Sequence, residues 1–264
     1  MRLVGYVPGE SPIHRMDPRA KITLCAAIIV ISFIYVHPYL LAGLLALMVI
    51  LSLIGGIGRE LLSRLRILGS VVAMSFILWT LFYRWSLFYT PREAEILYRL
   101  GPIVIDRLGL IYGVSMPLRV LIMIGTPLIF IFTTPVSDFI RAMTKLKVPY
   151  NIAFGIGLAF RLIPSLSNEW RNIKEAQLSR GLELERGWLI KRIRNHIPII
   201  IPLTVKALEI ADQLAIAMET RAFGAYKRRT YYKEPTLKGS DVLVIAASTI
   251  ALIGSIILRM IMAG

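Results

Sequence analysis

Residues 108–132 read LGLIYGVSMPLRVLIMIGTPLIFIF, with Arg119 the one charged side chain among them. A membrane-crossing helix needs about 20 consecutive apolar residues, and this stretch exceeds that. It predicts a span from Leu108 to Phe132. Pro117 and Pro127, with Gly113 and Gly125, predict a bent helix, which is common in membrane spans. Arg119 is the anomaly. An intramembrane charge is costly and turns toward a partner or a cavity, or snorkels to the interface if it lies shallow.

Four more apolar blocks flank this one. They run from Ile22 to Val36, Tyr39 to Ile57, Ile67 to Phe82 and Val242 to Met262. His37-Pro38 breaks the first from the second, and both are near the lower length limit for a span. The third reaches Tyr89 if Arg84 is tolerated at the interface, and Trp79, Tyr83, Trp85 and Tyr89 at its end predict an aromatic belt. The chain has 264 residues, 56% of them hydrophobic, and a mean hydropathy of +0.67. The fold class is therefore all-α, a polytopic membrane helix bundle. Its expected parts are spans one to four over 1–132, an inserted arm over 133–240 and a last span over 241–264.

The formal net charge of +15 would suggest nucleic acid in a soluble protein. In a membrane protein, Lys and Arg collect on the cytoplasmic side and meet anionic headgroups there. No nucleic-acid motif accompanies the charge, so the expected contact is the lipid bilayer and not nucleic acid. Arg2, Arg15, Arg19 and Lys21 precede span one, and Arg59, Arg64 and Arg66 occupy the short loop before span three. Placing both sets inside puts Thr133–Ser240 in the cytoplasm and the C-terminus outside. The loop from Arg84 to Arg107 is then external, with a predicted hairpin from Ala94–Leu100 to Val104–Leu108 around Gly101-Pro102. Cys25 is the single cysteine, which excludes an intramolecular disulfide framework. The polar start, with Pro8, Pro12 and Pro18, does not read as a cleavable signal peptide.

Four helices are predicted in the arm. Val136–Leu146 starts near a Ser137-Asp138 cap, and a second helix follows Pro149, kinks at Pro164 and reaches Arg180. Trp188–His196 is short and basic, and Arg186, Lys191, Arg192 and Arg194 with Trp188 and Ile190 suit a membrane surface. The last runs from about Pro198 to Arg221. Val205, Leu208, Leu214 and Met218 are its expected packed face, opposite Lys206, Glu209, Gln213 and Glu219. Asn151–Leu166 and Ile197–Leu203 are apolar enough to lie along the membrane or under the bundle.

No G-x-x-x-x-G-K-[ST] phosphate loop, no H-E-x-x-H and no C-x-x-C occurs, and His14, His37 and His196 are far apart. No catalytic, cofactor or metal constellation is assigned. The positive signal is a pair of arginine-ended helices, Glu175-Ala-Gln-Leu-Ser-Arg180-Gly181 and Ala217-Met-Glu-Thr-Arg221-Ala-Phe-Gly224. A cation suits the negative end of the helix dipole and glycine supplies a left-handed cap, which accounts for either motif alone. As a pair they also suit docking, since a projecting guanidinium can pair with a carboxylate or cap a carbonyl in a partner's groove.

These motifs carry a family resemblance. The chain resembles the transmembrane (T) component of energy-coupling-factor (ECF) transporters, a branch of ABC importers for vitamins and transition-metal ions. The resemblance starts at Ser11-Pro-Ile-His-Arg-Met-Asp-Pro-Arg-Ala-Lys21 and continues through Thr134-Pro135, Arg161-Leu-Ile-Pro164 and Glu175-Ala-Gln177. It ends at Ala217–Gly224, so it covers most of the chain in order. It implies a non-catalytic subunit whose two Ala-Arg-Gly motifs dock into two ATP-binding cassette ATPase subunits, the same or different. It also implies a separate substrate-capturing membrane subunit, the S component. By position, Ser179-Arg180-Gly181 matches the first motif and Thr220-Arg221-Ala222 the second. Serine and threonine replace the leading alanine, and Ala222 replaces the second glycine.

Two other readings compete. A conventional ABC permease would need polar groups converging between spans, for which Arg119 and Thr126 are the candidates. A membrane-bound enzyme would need acidic or histidine clusters at the interface, where only scattered groups such as Asp138 occur.

Overall fold

A computed structural model describes residues 5–83, 96–100, 103–184, 188–226 and 237–263. The chain divides into two compact units, Met1–Ala142 with Pro235–Gly264, and Met143–Glu234.

In the first unit a short helix, α1 (Pro12–Arg15), precedes α2 (Pro18–Ile34) and α3 (Pro38–Ile54). Asp17 is the N-cap of α2: its carboxylate accepts from the Arg19 N–H at 2.9 Å, and Pro18 fills the first helical position. Pro38 starts α3 in the same way. The chain then reverses at Gly56, whose φ of +66° is open to glycine without strain. Next come α4 (Gly58–Ile67) and α5 (Gly69–Phe82), bent by 56° at Leu68. Residues 58–66, expected as a loop, are thus helical. Leu61 and Leu65 face Met48, Ile57, Ile129 and Phe132 while Arg59, Arg64 and Arg66 stay exposed, an amphipathic surface helix.

A small antiparallel hairpin follows α5. Its strands are β1 (Ile96–Leu100) and β2 (Ile103–Asp106), with Arg99 opposite Val104. Leu108, expected in the second strand, is already in the helix. Gly101-Pro102, Arg84, Trp85 and Tyr89 lie outside the described residues. Tyr83, expected in a lipid-facing aromatic belt, is 3% exposed and stacks on Tyr112 at 4.4 Å.

The long stretch that decided the class forms α6 (Arg107–Thr133), the centre of the unit, packed by α2, α3, α4 and α5. Two glycines permit this closeness. A Cβ at Gly125 would collide with Met48 Sδ, and one at Gly113 with Thr80 Oγ1. The last helix, α11 (Gly239–Ala263), packs on α2 and exposes Leu243, Ile250 and Ile261 outward. Apolar side chains facing away from the bundle are the mark of a helix with lipid as its solvent. The protein is an all-α membrane helix bundle.

By length and composition, α6 and α11 can each cross a membrane, and the bent α4–α5 pair makes a third if it is one span. The helices α2 and α3 have 17 residues each, about 25 Å of rise against roughly 30 Å of hydrocarbon. Their short length is matched by where they end on α6. Lys21 in the first turn of α2 donates to the Thr133 carbonyl at 2.9 Å. At the other end, Ser115 donates to the Val36 carbonyl.

That second end explains Arg119. Its Nε donates to the Ser32 carbonyl and its Nη2 to the Tyr35 carbonyl, both at 2.9 Å, and the guanidinium lies 5.8 Å from the Phe33 ring. The last carbonyls of a helix have no partner within it, and Pro38 brings no N–H to the turn. Arg119 and Ser115 supply the missing donors from α6.

The start of the chain serves the opposite ends. His14 bridges the Val7 carbonyl and the Ser11 hydroxyl at 2.9 and 2.7 Å. Lys21 is 4% exposed and also donates to Thr134 Oγ1 at 3.3 Å. The Asp17 N–H donates to Asp241, which also accepts from the Lys238 N–H and so fixes the start of α11.

Candidate functional site: two helices capped alike

The remaining helices are α7 (Val136–Lys145), α8 (Tyr150–Ser179), α9 (Leu189–Asn195) and α10 (Ile197–Thr220). Asp138, expected as the cap of α7, sits in its first turn and pairs with Arg141, while the Pro135 carbonyl receives the Asp138 N–H. Pro164 lies inside a continuous α8.

In the second unit α8 and α10 run antiparallel. At one end Gln177 Nε2 donates to the Pro198 carbonyl at 3.3 Å. At the other, Phe223 packs on Phe154 and Tyr150, with ring centroids 4.8 and 6.3 Å apart. The face of α10 that packs differs from the expected one in the first half of the helix and agrees with it at Leu214 and Met218. Val205 and Leu208 are 51% and 61% exposed, whereas Ile199 is buried and Lys206 and Ile210 are half-buried beside Leu214 and Met218. Lys206 reaches from this face to Glu209 at 3.0 Å. A long aliphatic stem lets lysine occupy such a position with its ammonium still paired.

Both helices end in the same motif. Arg180 is the C-cap of α8 and Gly181 follows with φ +85°. The Leu182 N–H donates to the Gln177 carbonyl at 3.1 Å and the Gly181 N–H to the Leu178 carbonyl at 3.0 Å. Arg221 is the C-cap of α10 and Ala222 follows with φ +55°. The Phe223 N–H donates to the Met218 carbonyl and the Ala222 N–H to the Glu219 carbonyl, both at 2.9 Å. Each is a Schellman cap, the six-to-one and five-to-two pair that satisfies the last carbonyls of a helix.

The departures from Ala-Arg-Gly fit this geometry. Ser179 donates to the Ala176 carbonyl at 2.8 Å and Thr220 to the Ala217 carbonyl at 3.1 Å. Each hydroxyl folds back onto its own helix by the same three-residue step. Ala222 adopts the left-handed conformation although it carries a Cβ, a strain of about 1 kcal/mol. The six site residues, Ser179, Arg180, Gly181, Thr220, Arg221 and Ala222, are all exposed. Among the described residues neither guanidinium has a hydrogen-bond or ion-pair partner. Since α10 has 24 residues, about 36 Å of helix separates the two ends.

The groups suggested for a substrate pathway are engaged differently. Arg119 is bound to carbonyls. Thr126 borders a cavity of about 30 Å³ lined also by Lys21, Cys25, Met48 and Ile129. That is room for a water molecule or two, against several hundred cubic ångströms for a typical ligand site.

The described residues thus form a helical membrane bundle and present two exposed helix ends that are capped alike. The sequence pattern of the cobalt transport protein family, CbiQ, matches residues 9–232. The chain is 31% identical to the energy-coupling factor transporter transmembrane protein EcfT of Thermosediminibacter oceani, over 97% of each chain. It is 35% identical to EcfT of Streptococcus equi subsp. equi over 91% of this chain and 90% of that one. It is 30% identical to EcfT of Bacillus subtilis over 92% of each. The chain belongs to this family, the transmembrane T components of ECF transporters.

Proposed function

We propose that the chain is the coupling subunit of an ECF-type importer. It passes the ATP-driven motion of two ATP-binding cassette ATPase subunits to a separate substrate-capturing membrane subunit. The observation that carries this reading is the repeated arginine cap at opposite ends of the α8–α10 pair. One such cap is an ordinary way to end a helix. Two caps alike in hydrogen bonding, exposure and hydroxyl fold-back, about 36 Å apart, suit two grooves on two subunits, the same or different.

The mechanism is a lever. Each guanidinium presents a planar fork that can cap carbonyls or pair with a carboxylate in a groove. As the ATPases close, the docked ends move, and α8 and α10 carry that movement to the partner's membrane helices. Packed interfaces adopt discrete arrangements, so small shifts at the ends become larger changes elsewhere. ATP hydrolysis belongs to the partners. Substrate specificity, for a vitamin or a transition-metal ion, belongs to the capturing subunit. The reading places the chain in the plasma membrane of a prokaryote, with its N-terminus and residues 133–240 in the cytoplasm.

Cross-linking tests the docking. In a Cys25→Ser background, Ser179→Cys and Thr220→Cys should each cross-link to an ATPase subunit carrying groove cysteines. The chain with both substitutions should give an adduct holding two ATPase subunits. Adducts with neither subunit, under conditions where the complex co-purifies, would remove the docking role.

A further inference from the structure

Between α8 and α10 lies a helix that the docking reading leaves unused. Trp188, Ile190 and Ile193 of the α9 segment are 80%, 72% and 70% exposed. Ile190 and Ile193 are three residues apart and share one face of the helix. Lys191 and Arg194, also three apart, form the adjoining strip, and Arg192 adds a third cation. No acidic residue occurs from Gly187 to Leu208. Cations in a last turn are ordinarily explained by the helix dipole. That explanation leaves unaccounted for an exposed tryptophan and two exposed isoleucines beside the charges.

We infer that α9 is an anchor for an anionic lipid surface, with Trp188, Ile190 and Ile193 entering the headgroup boundary and Lys191, Arg192 and Arg194 meeting lipid phosphates. Indole sits well at such a boundary, with its apolar ring inward and its N–H wet. Isoleucine side chains gain by leaving water, and each cation near an anionic leaflet adds attraction. The charge complement selects the occupant: a cationic strip beside a small apolar one matches a negatively charged leaflet.

The anchor bears on Arg180. Asn195 Nδ2 donates to the Glu183 carbonyl at 2.7 Å, tying α9 to the turn that follows the first cap. Gln177 ties the last turn of α8 to the first turn of α10. Arg180 is therefore held from both sides by groups adjoining α9, and a fixed α9 sets its height at the bilayer.

The test uses the full chain in a Cys25→Ser background, reconstituted in lipid nanodiscs. A nitroxide is placed at Ile190, Ile193 or, as a control on the polar side of α10, Asp212. Collision with oxygen reports lipid and collision with a nickel chelate reports water. In a three-to-one mixture of phosphatidylcholine and phosphatidylglycerol, the Ile190 and Ile193 labels should favour oxygen several-fold more than in phosphatidylcholine alone. The Asp212 label should favour nickel in both. Replacing Lys191, Arg192 and Arg194 by glutamine should remove the difference, at about fivefold in the inserted population per cation.

Nickel access at Ile193 in the anionic discs, or indifference to phosphatidylglycerol, overturns the inference. So does protection from both reagents only after the ATPase and capturing subunits are added, because a protein then covers the strip. The readout requires no docked ATPase, so its failure is separable from that of the coupling reading.

Discussion

Ala222 holds the backbone conformation that Gly181 holds in the matching cap, and the two positions should respond oppositely to exchange. Ala222→Gly relieves a left-handed Cβ and should strengthen the second cap by about 1 kcal/mol, slowing amide exchange at Ala222 and Phe223 roughly fivefold. Gly181→Ala should speed exchange at Gly181 and Leu182 by a similar factor. Arg119 makes a different prediction. Arg119→Leu leaves the Ser32 and Tyr35 carbonyls without donors and should cost about 2 kcal/mol, read as a lower unfolding temperature in detergent. Arg119→Lys should recover only part, since an ammonium lacks the planar fork that reaches both oxygens. The residue scale is also where the sequence was partly mute. The arginines at 180 and 221 were visible because each precedes a change in composition. The burial of Lys21 was not legible, because a lysine before an apolar block looks the same whether it faces water or fills the end of a distant helix.

At the scale of elements, the close crossing of α3 and α6 rests on Gly125. Gly125→Ala drives a Cβ against Met48 and should destabilise the bundle by about 1–3 kcal/mol. Met48→Ala in the same chain should return part of that loss, and a non-additive pair in thermal unfolding is the signature. Element positions were largely legible, since apolar blocks, Asp17-Pro18 and His37-Pro38 mark helix limits by simple chemistry. Two expectations failed for different reasons. Residues 58–66 read as a loop because their arginines set orientation, although Leu61 and Leu65 stand four apart. The first half of α10 packs through a strip other than the expected one, because the pattern carries two apolar strips there. Periodicity locates a strip but does not say which one meets protein.

For the whole molecule, composition established a membrane bundle, and the pairing of distant segments stayed hidden. Nothing in the sequence alone joins Asp17 to Asp241 or Lys21 to Thr133, because those contacts depend on where helix ends meet. The orientation carries its own test. A single cysteine at Asn172, in a Cys25→Ser background, should resist a membrane-impermeant alkylating reagent added outside intact cells and react once the membrane is opened. Labelling from outside would reverse the cytoplasmic assignment. The central claim is that Arg180 and Arg221 dock the two ATPase subunits. Its most direct measurement is co-purification and substrate uptake with the Arg180→Glu, Arg221→Glu chain, produced with its partners and checked for normal abundance in the membrane. The account predicts that the ATPases are lost from the purified complex, or remain with uptake abolished, while the capturing subunit stays bound. Wild-type recovery of the ATPases together with wild-type uptake would contradict it.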